Sequence, residues 1–342
     1  MVFRKTKDRA LRPGDVVEVR TPAEILATLE SNASLDNMPF MPEMLRYSGR
    51  RFTVSSRAEK ICDTVSGGLP RSRKMQNTVL LEDLRCDGSG HGGCQAGCRL
   101  YWKEAWLRRV DPNAKHEGRS GDRRGELDQL ARDGTRTVRA VDGAATESYR
   151  CQATEALRAT APVGNYDLRQ YIRELTSGNV GVRRLLRIAV RAVGGLIGRR
   201  LRLVSYHPVP LQQEPVRTMG HLNLQRGDEV EVRSANDIAA TVGPNGKTRG
   251  LSFDWEMLPH CGGRYRVRDR VERIIDERTG QMIEIESDCL ILDGVVCSGE
   301  HSRGRWFCPR AIYPYWREAW LRRVEDADAT PPKRVGDDVN SS

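Results

Sequence analysis

The chain has 342 residues, 30% of them charged and 38% hydrophobic, and a formal net charge of +10. No apolar run reaches the roughly 20 residues that a bilayer-spanning helix needs, so a membrane-crossing protein is excluded as a reading of the sequence. Nine cysteines, an odd number, argue against a fully paired disulfide framework and make metal ligation the first chemistry to consider.

The opening segment MVFRKTKDRALRPGD has charge but no apolar stretch behind it, so neither a secretory signal nor an anchor is expected, and a reducing, bacterial-type cytoplasm is the expected compartment. A Gly14-Asp15 turn leads into the alternating strand DVVEVR, and PAEILATL (22 to 29) reads as a short helix. RRFTVSS and NTVLLEDL read as a second and a third strand, the latter with a buried apolar run. EAWLRRV (104 to 110) reads as a helical turn running into a final strand. Residues 111 to 145 are polar, glycine-containing and without sustained periodicity, the pattern of a flexible linker. From Thr146 to Tyr206 the pattern turns helical.

The first pattern then returns. RPGDVVEVRTPAEILATL (12 to 29) lies over QRGDEVEVRSANDIAATV (225 to 242), with Gly14 over Gly227 at an offset of 213. MPEMLRYSGRRFTV lies over DWEMLPHCGGRYRV, EKICD over ERIID, and YWKEAWLRRV over YWREAWLRRV, with Trp102 over Trp316 at an offset of 214. Order and spacing kept over roughly 100 residues mark a duplication. The expected architecture is mainly β with short helices: two SH3-like small-barrel modules joined by a helical basic segment. Its boundaries are 1–111 for the first module, 112–145 for the linker, 146–222 for the connector, 223–325 for the second module and 326–342 for a disordered tail.

Four cysteines fall in each copy and Cys151 stands apart. In CDGSGHGGCQAGC, glycines 88, 90, 92 and 93 supply turns that bring Cys86, His91, Cys94 and Cys98 toward one point, a ligand set suited to tetrahedral zinc, with Cys62 also in the module. In the second copy, CSGEHSRGRWFC places Cys297 over Cys86, His301 close to His91 and Cys308 over Cys94, and Cys261 or Cys289 would complete four. Cys261 aligns with Ser48, Cys289 with Thr78 and Cys62 with Ile275, so the fourth ligand differs between copies. Up to two zinc ions are expected. An iron-sulfur cluster ranks below zinc because the spacings match neither familiar ferredoxin pattern. Ordinary buried cysteines and a reactive thiol activated by His91 or His301 are the competing readings.

The blocks CDGSxHGGC (Cys86 to Cys94) and YPYWREAWL (Tyr313 to Leu321) resemble those of a family of uncharacterised bacterial tandem-repeat proteins. The resemblance covers most of the chain and implies that the two-module plan recurs; no activity comes with it.

Between Asn179 and Leu203 lie seven arginines and no acid. At 100° per residue Val182, Leu185, Leu186, Ala189, Val193, Leu196 and Ile197 share one face of a helix and Arg183, Arg184, Arg187 and Arg191 the other. Such a helix binds an anionic partner through its arginines, be it nucleic acid, a protein complex or an anionic membrane surface, or else packs its apolar face on the modules. The paired aromatics Trp102 with Trp106 and Trp316 with Trp320 read as core, with a ligand groove as the alternative. TVGPNGKT (241 to 248) lacks the first glycine and the preceding strand of a phosphate loop and reads as a turn. His116, His207, His221 and His260 form no metalloprotease or triad spacing.

The sequence therefore points to a non-catalytic, zinc-stabilised tandem binding or adaptor protein. A metal- or thiol-dependent accessory enzyme and a peripheral membrane-associated protein are the alternatives. No small-molecule substrate is legible.

Overall fold

The structure, a computed structural model, describes residues 9–66, 72–113, 122–141, 144–164, 167–200, 207–211, 220–301 and 305–324. The expected tail at 326–342 lies outside them, as does the 114–121 part of the expected linker. The described chain is mainly β and carries a sheet curled into a half-barrel.

Apart from two hairpins of two-residue strands and four 3₁₀ turns, the elements in chain order are β1 (Val16–Val19), α1 (Pro22–Leu26), β2 (Arg51–Arg57), β3 (Ile61–Cys62), β4 (Ser72–Met75), β5 (Thr78–Arg85), β6 (Arg99–Lys103) and β7 (Leu107–Arg109). There follow α2 (Arg124–Thr135), β8 (Arg136–Val141), β9 (Ala144–Tyr149), β10 (Thr160–Val163), α3 (Arg169–Thr176) and α4 (Val182–Arg200). The last are β11 (Glu229–Val232), α5 (Ala235–Ala239), β12 (Arg264–Arg270), β13 (Arg273–Ile275), β14 (Met282–Glu284), β15 (Leu290–Leu292) and β16 (Leu321–Arg323).

Two compact units result: one is 1–206 with 271–286 and 296–314, and the other is 207–270 with 287–295 and 315–342. In the first unit the main sheet runs β6-β5-β2-β1-β7; in the second it runs β15-β12-β11-β16. Their shared part has one register. Val17 faces Arg109 and Val19 faces Leu107, and likewise Val230 faces Arg323 and Val232 faces Leu321. The bulge between Val54 and Ser56 returns between Val267 and Asp269.

Local chemistry repeats as well. Thr21 accepts from the Glu24 N–H at the start of α1 while its own N–H donates to the Glu24 carboxylate, a reciprocal cap, and Ser234 accepts from the Asp237 N–H at the start of α5. The Trp106 indole N–H donates to Thr28 at 3.1 Å, and that of Trp320 to Thr241 at 3.1 Å and Thr248 at 3.2 Å. Thr241 and Thr248, the ends of the TVGPNGKT turn, thus support a core tryptophan. All four module tryptophans are fully buried, as expected of core.

The linker expectation needs correction between 124 and 135. This stretch is a helix, α2, whose Leu127 and Ala131 are buried four apart in the first unit's core. Three buried positions in twelve, one of them the polar Thr135, are too sparse to stand out as an apolar stripe.

The cysteine loops interlock the two copies within the first unit. The Cys62 N–H donates to the Cys308 sulfur at 3.2 Å, and the Ile275 N–H donates to the Cys94 sulfur at 3.4 Å. Each copy's loop thus caps the other copy's short strand, β3 or β13. The loops themselves also match: Cys86 N–H donates to the Cys98 carbonyl, and Cys297 N–H to the Ile312 carbonyl, each at 2.8 Å.

Candidate metal centre

Cys86 follows β5 and opens the glycine loop. Asp87 accepts from the Ser89 N–H and hydroxyl, and the His91 and Gly93 N–H groups both donate to the Gly88 carbonyl. This winding brings His91 Nε2 to 3.4 Å from Cys86 Sγ. Gly88 has φ +73°, and a Cβ there would sit 2.6 Å from the Cys94 nitrogen. A Cβ at Gly90 would come 2.7 Å from Glu43 Oε2, so only glycine lets the loop close on that carboxylate.

Glu43 sits in the 3₁₀ turn Pro42–Tyr47, and its Oε1 lies 3.9 Å from His91 Nδ1. The donor atoms of Glu43, Cys86 and His91 all lie within 4.8 Å of one another, the one such group of three among the described residues. Glu43 and His91 are only 5% and 2% exposed. Neither Glu43 oxygen accepts an N–H or O–H among the described residues, and His91 Nδ1 has no hydrogen-bond partner there. Buried polar atoms without partners are costly, and a cation among these three donors would satisfy them.

The electrostatics fit that role. Burial pushes the Cys86 thiol well up, and the charges of Glu43 and Cys98 add to the shift. Burial lowers the His91 pKa, against the pull of Glu43. A neutral imidazole and a thiol that ionises when a cation displaces its proton are what zinc takes.

Cys86 and His91 also line a cavity of about 50 Å³. Cys94, Cys98 and Cys151 line it too, with Tyr101 and Arg310. Burial pushes Cys98 up to about 12 and Cys151 up to about 11. Arg310 reaches Glu277 at 2.7 Å and Thr64 at 2.7 Å. Cys62 and Cys308 form a buried pair: a hydrogen bond from Cys308, with the Arg310 charge behind it, lowers Cys62 to about 6, while burial raises Cys308.

Of the ligands expected from sequence, Cys86 and His91 meet, Cys94 and Cys98 line the adjoining cavity, and Cys62 pairs with Cys308. The second set is distributed differently. Cys297, His301 and Cys308 belong to the first unit, and Cys261 and Cys289 to the second, where burial raises both thiols. Glu43 was not among the expected ligands. Its signal is the Glu-Met-Leu shared by both copies, where Glu256 is the counterpart of Glu43. Cys151, read as solitary, reaches the cavity through the turn before β10.

The arginine-rich stretch forms α4, with its apolar residues split between two faces rather than gathered on one. Leu185 and Ile188 turn inward onto Val180 and Phe307. Leu186, Val193 and Ile197 are exposed, and Val182 and Val190 with them. Arg184 and Arg187 pair with Glu300 at 2.7 and 3.5 Å. No helix among the described residues is long and apolar enough to cross a membrane.

Comparison with family models, curated proteins and solved structures gives no match.

Proposed function

We propose that the chain is a metal-stabilised binding protein, a pair of SH3-like small-barrel modules whose cysteine loops are organised around zinc at Glu43, Cys86 and His91. One observation carries this reading: among the described residues a buried carboxylate that accepts no N–H or O–H and a buried imidazole nitrogen without a partner face a thiol at ligand spacing. The near-complete burial of Glu43 and His91 favours a structural site, since such sites are closed by protein. Cys94 and Cys98 line the adjoining cavity but lie outside the group of three, so a fourth ligand from either requires its sulfur to move closer. The modules then present a surface to a macromolecular or anionic partner.

The test is zinc per chain in the purified protein and in Cys86→Ser and His91→Ala variants, with folding followed during chelation. One zinc per chain, lost in both variants and needed for folding, supports the proposal. A metal-free protein that folds normally overturns it.

The cavity favours a second reading, an accessory enzyme in which three protein ligands leave one metal position facing that cavity. Under this reading chelation leaves the fold intact, and cobalt put in place of zinc keeps an exchangeable water.

A further inference from the structure

Helix α4 has two apolar faces, and its core packing uses only one. At 100° per residue the inward residues Leu185 and Ile188 lie roughly opposite a second stripe formed by Val182, Leu186, Val190, Val193 and Ile197. These five are 55% to 72% exposed, where most aliphatic side chains of an ordered helix would be covered. Along one edge of the stripe run Arg183, Arg187 and Arg191. No ion pair to Arg183 or Arg191 occurs among the described residues, and the helix contains no acid.

We infer that α4 lies flat on an anionic lipid surface, the stripe entering the acyl boundary and the arginines meeting headgroup phosphates. The charge complementarity and the aliphatic stripe argue together. Arginines alone would suit nucleic acid, but phosphate recognition gives five exposed aliphatic side chains nothing to do. An interfacial helix uses both. It lies on the bilayer rather than through it, in keeping with its length and charge. The inference goes beyond the metal-held scaffold and is independent of it.

The test is cosedimentation of the full chain with vesicles of phosphatidylcholine alone and of phosphatidylcholine mixed with phosphatidylserine. Two double variants accompany it, Leu186→Asp with Val190→Asp, and Arg183→Glu with Arg191→Glu. All four positions are exposed, and zinc content and circular dichroism on the same samples check that the fold is kept. Binding to the mixed vesicles is expected, with much weaker binding to the neutral ones and a loss of about tenfold or more in either variant. Absence of binding to mixed vesicles, or equal binding to neutral ones, overturns the inference. So does nucleic-acid binding that survives the aspartate variant, which assigns the arginines elsewhere. Self-association without lipid that the aspartate variant abolishes would assign the stripe to a second copy of the chain and overturn it too.

Discussion

The Cys62 N–H donates to the Cys308 sulfur, and one repeat further on the Ile275 N–H donates to the sulfur of Cys94, the residue that aligns with Cys308. Within the first unit each of the two matching segments thus holds a short strand of the other through a buried sulfur. A duplication that only strung two modules along a linker would not need this reciprocity.

Replacing either sulfur should leave a buried N–H without an acceptor. Cys308→Ala and Cys94→Ala are each expected to cost about 1–3 kcal/mol in urea unfolding. Cys261→Ala, at a half-buried thiol of the second unit, should cost less. An unchanged midpoint for Cys308→Ala would show that the exchanged bonds carry no stability.

A buried pair should shape the pH profile. Burial lifts Glu174 from its ordinary 4.5 to about 7, against the hydrogen bond from Asn179 and the charge of Lys60. The fold therefore holds a proton that the unfolded chain releases, and its stability falls as pH rises from about 4.5 to 7. Burial lowers Lys60 from 10.5 to about 8, so the unfolded chain binds the extra proton there and stability rises again between about 8 and 10.5. Glu174 and Lys60 by themselves place a minimum between these windows, on which Cys62, lowered to about 6, superposes a rise in stability from about pH 6 to 9. Lys60→Met with Glu174→Gln should flatten both slopes, as thermal unfolding across the range will show.

Two glycines should respond oppositely to alanine. Gly88→Ala forces a Cβ into the Cys94 backbone at positive φ and should cost about 3 kcal/mol or more along with metal affinity. Gly194→Ala meets nothing within 4 Å inside α4 and should stabilise by up to about 1 kcal/mol. Calorimetry on the two variants reads the contrast.

The tryptophans differ in their indole nitrogens. Trp320 donates to two threonines, whereas Trp316 Nε1 has no partner among the described residues. Trp320→Phe should therefore be about 1 kcal/mol more destabilising than Trp316→Phe, although both rings are fully buried. Equal losses would mean that ring packing alone sets the cost.

The strands, the short capped helices and the tryptophan core were legible because each is written in local alternation and repeated at a near-constant offset. Helix α2 was not, since its buried residues include only two apolar ones, Leu127 and Ala131, which do not make a visible stripe. The group of Glu43, Cys86 and His91 was half legible. Glycine spacing pointed to Cys86 and His91, but Glu43 joins them only through tertiary folding, 43 residues before Cys86 in the chain. The destination of Cys308 was hidden for the same reason, because pairing by alignment keeps each ligand in its own copy while the fold exchanges the loops. For α4 the periodicity gave a helix, and only packing could tell which apolar residues turn inward.

Zinc-edge X-ray absorption on the purified full chain, compared with Glu43→Gln, reads the ligands themselves. Zinc with mixed sulfur, nitrogen and oxygen ligation is expected, with an altered oxygen contribution or lost metal in the variant. Zinc held by four sulfurs and indifferent to Glu43→Gln, or no zinc at all, would contradict a centre built on Glu43, Cys86 and His91.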